Sequence, residues 1–239
     1  MRVTAAQDIT NTHTNIYPYT RKVFSTMTDG TAGATRRRLA QELAVVAGFE
    51  DPHAPLEQYH TPPDLAAHIV HVADLNGDVE GRTVLDLGCG TGMLALGAAL
   101  RGPELVVGVD IDPAPLSTAR ENERRVGAMT DVSWVRGDVT DLPLVPGGDA
   151  TVLMNPPFGA QSGNEGADRA FLEAAAAVSS VSYSVHNAGS ESFVRAFAGD
   201  NGGQVTHAFA AEFELPRQFE HHDSETRSID TEVYRIEWE

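Results

Sequence analysis

The chain has 239 residues, 41% of them hydrophobic, a formal net charge of −17 and one cysteine, Cys89. That length carries one large core, the lone cysteine excludes an internal disulfide, and no run of about eighteen apolar residues or signal-peptide pattern implies membrane insertion or secretion, so a reducing cytoplasm is the expected location. The acidity opposes nucleic-acid binding in dilute buffer, but sixteen Arg against a single Lys describe a halophilic protein of a molar-salt cell; at about 1 M salt the Debye length is near 3 Å, so global repulsion is screened and local arginine contacts decide.

Residues 1–34 are rich in Thr, Asn and Gly without periodicity and read as a disordered leader. Lys22, the only lysine, lies there, and Met27 precedes the polar run into the first helix, so Met27 is expected to begin the native product, or residues 1–26 to be a dispensable tail. A helix is expected over 35–47, with Leu39, Leu43 and Val46 on one face, Gly48 at its end, and Arg36-Arg37-Arg38 as either a solvated first turn or an RNA contact. Thr61, Pro62 and Asp64 mark a second helix start, with Leu65, Ile69 and Val72 as its buried stripe. Residues 35–80 form an amino-terminal unit of helices and covering segment, and 81–239 a single doubly wound α/β core.

Within that core, the strand Thr83-Val84-Leu85-Asp86-Leu87 feeds the loop Gly88-Cys89-Gly90-Thr91-Gly92 and a helix from Met93, an arrangement that brings backbone close to a nucleotide-like ligand. The next strand, from Leu105, ends in Asp110 and Ile111, where a carboxylate can take both ribose hydroxyls. Dinucleotide dehydrogenases share both features. The third strand, Val132 to Arg136, ends in Gly137-Asp138-Val139, where an Asp can receive an adenine amino group while the Val139 amide donates to the ring. That third signal belongs to S-adenosylmethionine methyltransferases. Taken singly, Gly90 reads as a tight turn, Asp110 as a helix cap before Pro113 and Asp138 as an exposed turn; their placement at successive strand ends favours a ligand site.

The fourth strand, from Ala150, delivers Asn155-Pro156-Pro157-Phe158 to the same edge. An Asn amide oxygen and the Pro156 carbonyl can both accept from one planar amino group and turn its lone pair toward an electrophile, and Phe158 offers a face on which a base stacks. Pro156 and Pro157 stiffen the segment and remove two donors. A helix over 167–178, a strand over 181–185, a helix over 190–198 and two long antiparallel strands, roughly 204–215 and 229–238, complete the sheet. Gly202-Gly203-Gln204 reads as a turn into a strand, and His221-His222-Asp223 as a solvated loop without a metal.

From about Leu39 to Glu239 the chain resembles the small-subunit ribosomal RNA adenine-N6 methyltransferases of the methyltransferase-like-five type. The likeness rests on Gly48-Phe49-Glu50, Leu56-Glu57-Gln58-Tyr59, Asp86 to Gly92, Val109-Asp110-Ile111-Asp112, Asn155 to Gly159, Tyr183-Ser184-Val185-His186 and Ile229 to Val233. It implies a class I, Rossmann-like, seven-stranded mostly parallel sheet with an antiparallel last strand, S-adenosylmethionine as cofactor, rRNA as substrate, and no metal. It implies cofactor contacts at Gln58 and Thr61 in addition to Asp86, Gly88, Gly90, Thr91, Asp110, Ile111, Asp138, Val139 and Asn155. It also implies a small zinc-ribbon activator subunit paired with a sheet edge. The third strand is expected at that edge with almost no protecting charge, Val132, Trp134 and Val135 either meeting the partner or tucking under the preceding helix. The stretch Phe219 to Arg227 lacks the family's lysines. A glutamine-N5 protein methyltransferase acting on a release factor is the alternative, since it uses the same Asn-Pro-Pro logic on a side-chain amide.

Overall fold

The computed structural model describes residues 31–142, 149–158, 166–216 and 226–239, with the side chains of 31–34, 212–216 and 226–229 left aside. Lys22, Met27, Gly159 and the stretch from Phe219 to Glu225 lie outside the described residues. Helix α1 spans Thr31–Leu43 and α2 Pro63–Leu75, then β1 (Thr83–Leu87), α3 (Met93–Ala99), β2 (Leu105–Asp110), α4 (Pro113–Val126), β3 (Val132–Arg136), β4 (Thr151–Met154), α5 (Ala167–Val178), β5 (Val181–Asn187), α6 (Glu191–Asp200), β6 (Gly203–Pro216) and β7 (Thr226–Trp238). Helix α1 starts four residues earlier than the periodicity placed it and stops at Leu43, so residues 31–34 are helical rather than part of a leader.

The sheet runs β3-β2-β1-β4-β5-β7-β6, parallel from β3 to β5, with β7 antiparallel to both of its neighbours. Strands buried on both faces read as near-continuous apolar runs, as β4 does and as β1 does except at Asp86. Alternate residues serve two cores. Val84, Val106 and Leu153 meet α1, α2 and α3, while Leu85, Val107 and Met154 meet α5 and α6.

Helix α4 begins at Pro113 with Asp112 as its cap, the Asp112 side chain accepting from the Ala114 amide. The cap is therefore Asp112, which frees Asp110 for other contacts. This helix also covers the β3 edge: Glu123 Oε1 accepts the Val132 amide at 2.7 Å, Arg120 Nη2 donates to the Trp134 carbonyl at 3.3 Å, and Glu123 Oε2 takes the Trp134 indole N–H at 2.8 Å. The indole lies so close over Gly108 that a Cβ there would sit 2.7 Å from it. Trp134 thus tucks under the preceding helix, and the expectation of an edge bare of charge is corrected, because one helical turn sets Glu123 and Arg120 beside the strand. Substituting Trp134 would also disturb the floor of the glycine loop, since the ring reaches Gly92.

Opposite, a buried ionic knot ties the α2–β1 turn to the last strands. Asp78, 1% exposed, accepts from the Tyr183 hydroxyl at 2.7 Å and from Arg235 Nε at 2.8 Å and Nη2 at 3.2 Å. Burial first, then the bond to Asp78, raise the Tyr183 hydroxyl far above the usual tyrosine range. Removing one partner strands a buried charge, so Asp78→Ala is expected to lower unfolding free energy by about 3 to 5 kcal/mol in urea titrations at constant salt, and the Asp78→Ala/Arg235→Met double variant to recover part of that loss.

Candidate functional site

The carboxyl ends of β1, β2, β3 and β4 surround a cavity of about 240 Å³, into which Gly88, Gly90, Asp110, Ile111, Asp138, Val139, Asn155 and Pro157 all face. A smaller hollow of about 30 Å³, lined by Thr61, Asp86 and Thr91, shares Gly88, Gly90 and Asn155 with it. Every predicted binding residue therefore lines one of the two hollows, and Gln58 lines the larger. Pro156 is buried behind the wall and Phe158, half-buried, packs on the core cluster that holds α1 to α3.

Each polar group has a specific state. The Gly90 amide donates to Asp110 Oδ2 at 2.7 Å and the Asp112 amide to Oδ1 at 2.9 Å, so the ribose candidate also anchors the glycine loop. That loop needs glycine at position 90, where φ is +52° and a Cβ would meet the Phe49 ring at 2.8 Å. Burial lifts the Asp110 carboxyl above its ordinary value despite those two amides. Asp86, 1% exposed, accepts the Ala95 amide at 2.8 Å and so fastens the start of α3 to the end of β1. Burial pushes its carboxyl up to about 7, the Ala95 amide opposing and Asp110 adding to the rise. Asp138 is exposed, and its Oδ1 accepts both the amide and the hydroxyl of Thr140 at 2.8 Å; these bonds hold the carboxyl below its usual range. Ile111 is 51% exposed, an apolar face at the rim.

Residues 57–61 cross the mouth and are tied to two strand ends. Gln58 donates to Asp112 Oδ2 at 2.8 Å and accepts the His53 amide at 2.8 Å, so this amide serves as a latch as well as part of the lining. Asn155 Nδ2 donates to Thr61 Oγ1 at 3.0 Å, and Glu57 Oε2 accepts the Phe158 amide at 2.7 Å. The Asn155 Oδ1 is buried and has no hydrogen-bond partner, which leaves an acceptor open beside the hollow. Behind, Asn122 joins the helix-to-strap linker to the glycine loop by donating to the Ala47 and Thr91 carbonyls, each at 3.0 Å, and accepting the Ala47 amide at 2.9 Å.

Sequence reasoning did not assign roles to Glu57, Phe49, Phe171 or Asn122. Phe49, Glu57 and Phe171 line the larger cavity, and Phe171 stands against Gly88. Glu57 and Phe49 lie in the quoted segments, so only a partner 101 positions away, for Glu57, separated them from recognition.

Comparison with known proteins fits this geometry. The methyltransferase-domain profile matches residues 84–180. The chain is 35% identical to the rRNA N(6)-adenosine-methyltransferase Mettl5 of Drosophila melanogaster over 84% of this chain and 95% of that protein. It is 32% identical to the METTL5 enzyme of Danio rerio, over 84% and 97% respectively. The chain belongs to the METTL5 family of methyltransferases. As a member it is an S-adenosylmethionine-dependent methyltransferase with the class I fold, and the crystal structure of PH1948 from Pyrococcus horikoshii, 36% identical, superposes with a TM-score of 0.76 over 85% of this chain and 97% of that one.

The raised Asp86 carboxyl carries a sign. Between about pH 4 and about 7 the folded chain holds a proton on Asp86 that the unfolded chain releases, so this group's contribution to stability falls as pH rises through that window. Asp86→Asn keeps the oxygen that accepts from Ala95 and removes the titration. Urea unfolding without cofactor at pH 5 and pH 7.5 is expected to show wild type losing stability relative to Asp86→Asn at the higher pH.

Proposed function

We propose that this chain transfers a methyl group from S-adenosylmethionine to N6 of an unpaired or flipped adenine in small-subunit rRNA. The carrying observation is Asn155: Thr61 engages its Nδ2, and its buried Oδ1 is left as an unpartnered acceptor at the end of β4. An orphaned acceptor of that kind costs free energy unless a donor arrives, and an exocyclic amino group is such a donor. The Pro156 carbonyl takes the second amino hydrogen, Pro157 keeps the turn rigid, and Phe158 stacks the base, a contact worth about 1 to 3 kcal/mol.

The cofactor set fits the lining. Asp110 takes the ribose hydroxyls, Ile111 gives the adenine an apolar face, the free oxygen of Asp138 and the Val139 amide read the ring, and Gly88, Gly90 and Thr91 admit the chain between them. Asp86, Gln58 and Thr61 close the methionine end. When bound, the cofactor supplies an electrophilic methyl on a sulfonium. Asn155 and Pro156 hold the acceptor nitrogen with its lone pair in line, so positioning contributes most of the acceleration. The N–C bond forms as the S–C bond breaks, and the acidic ammonium then yields its proton to water.

In this reading residues 35–80 form the covering unit, 81–239 the transferase core, and the surface suits a halophilic cytoplasm. Among the described residues no helix is long and apolar enough to cross a membrane. The β3 edge is also the place for a zinc-ribbon activator. Support comes from Met129, 78% exposed, and Leu105, 41% exposed, which leave apolar surface beside the start of that strand. A strand added there displaces Arg120 and Glu123 from the main chain. Met129→Asp is expected to weaken co-purification with such an activator while S-adenosylmethionine affinity is unchanged.

Calorimetry with a methyl-transfer assay on unmethylated rRNA tests the site. Asn155→Ala is expected to abolish turnover with cofactor affinity nearly intact. Asp110→Ala is expected to do the reverse first, losing charge-assisted bonds worth roughly 1.5 to 3 kcal/mol each. Normal turnover in Asn155→Ala overturns the mechanism.

A further inference from the structure

We propose that Glu57 is a positioning residue of the acceptor site, holding the Asn155-to-Phe158 turn in its reactive shape; this rests on the reading of that turn as the acceptor platform. Pro156 and Pro157 have no amide hydrogens, so the Phe158 N–H is the first main-chain donor after Asn155. The turn cannot hold itself by backbone pairing across the prolines. Glu57 takes that single donor with a carboxylate oxygen at 2.7 Å, from a side chain only 6% exposed. Bonds to a carboxylate are shorter and stronger than neutral ones, and a buried one is little weakened by water.

The backbone of Glu57 gives a second, independent observation. At φ 48° and ψ 45° it is the one non-glycine residue with positive φ among the described residues, closing the short turn Ala54–Leu56. A left-handed conformation strains an L-residue through its Cβ, and glycine would occupy it without that strain. Strain of this kind persists where the surroundings over-determine it. The turn alone asks for glycine; the carboxylate is what the position adds.

The left-handed turn sends the chain onward so that Thr61, four residues later, reaches Asn155 Nδ2 at 3.0 Å. One short segment thereby grips both ends of the platform: Thr61 sets which way the Asn155 amide faces, and Glu57 sets the plane of the Pro157–Phe158 peptide. The acceptor oxygen and the stacking ring are thereby held relative to each other from one short strap. Misplacement of a reacting pair by about 1 Å costs on the order of 100-fold in rate, so the expected signature is in kcat.

The test compares wild type, Glu57→Gly, Glu57→Gln and Asn155→Ala as full chains at constant salt, reading cofactor Kd by calorimetry, kcat and KM on unmethylated rRNA, and the thermal midpoint. Glu57→Gly removes the carboxylate while relieving the backbone. It is expected to lower kcat about 10- to 100-fold with cofactor Kd within about two-fold and no fall in midpoint. Glu57→Gln keeps an oxygen that accepts the amide and is expected to recover kcat to within about five-fold of wild type. A wild-type kcat in Glu57→Gly, or a loss that Glu57→Gln does not rescue and that tracks a lowered midpoint, overturns the role. Asn155→Ala separates the failures: full activity there overturns the acceptor-site reading itself, whereas an inactive Asn155→Ala beside a fully active Glu57→Gly overturns only the role of Glu57.

Discussion

The tie between residues 57–61 and the carboxyl ends of β2 and β4 is the contact on which the site depends. An open α/β sheet offers ligands only a shallow crevice beyond its strand ends. Here Gln58 bonds to Asp112 and Thr61 to Asn155, and the crevice deepens into a pocket, still open to solvent, with walls from both halves of the chain. The same bonds decide what the pocket presents. Because Thr61 engages the nitrogen of the Asn155 amide, its oxygen is the atom left for a substrate.

Burial of the strand ends also explains the electrostatics. Asp86 and Asp110 sit close together behind the glycine loop, and burial raises both carboxyls. Two neighbouring acids in a dry site disfavour their own ionisation and favour a cation nearby. A cofactor that carries a sulfonium and an ammonium group supplies such a charge. Asp138, exposed and bonded to Thr140, remains an ionised rim group, so the three acids form a gradient from neutral-leaning interior to charged surface.

Much of this was legible in the sequence because it is local. The strand runs, the loop from Gly88 to Gly92 and the turn at Asn155 each declare themselves within ten residues, alternation of strands with helices implies a mostly parallel α/β sheet, and the place of β3 at its edge came with the family resemblance. What sequence did not show is long-range. Glu57 and Phe158 are 101 positions apart, and Asp78 and Arg235 are 157. No periodicity links such pairs. The β3 edge differs for a related reason: its protection comes from Glu123 and Arg120 of the preceding helix, whose contacts no strand pattern shows. Gln58 lines the pocket, and its bond to Asp112 depends on how the preceding turn folds.

The account stands or falls on the atom that receives the methyl group. The most direct measurement incubates the purified chain, at molar salt and with its activator if one is required, with methyl-labelled S-adenosylmethionine, small-subunit rRNA lacking the modification, and a release factor carrying a Gly-Gly-Gln motif, followed by nucleoside and peptide mass spectrometry. Label is expected in N6-methyladenosine at one position of the rRNA and none in protein. Label in N5-methylglutamine, or in a ribose or ring-nitrogen methyl group with N6 unlabelled, would contradict it.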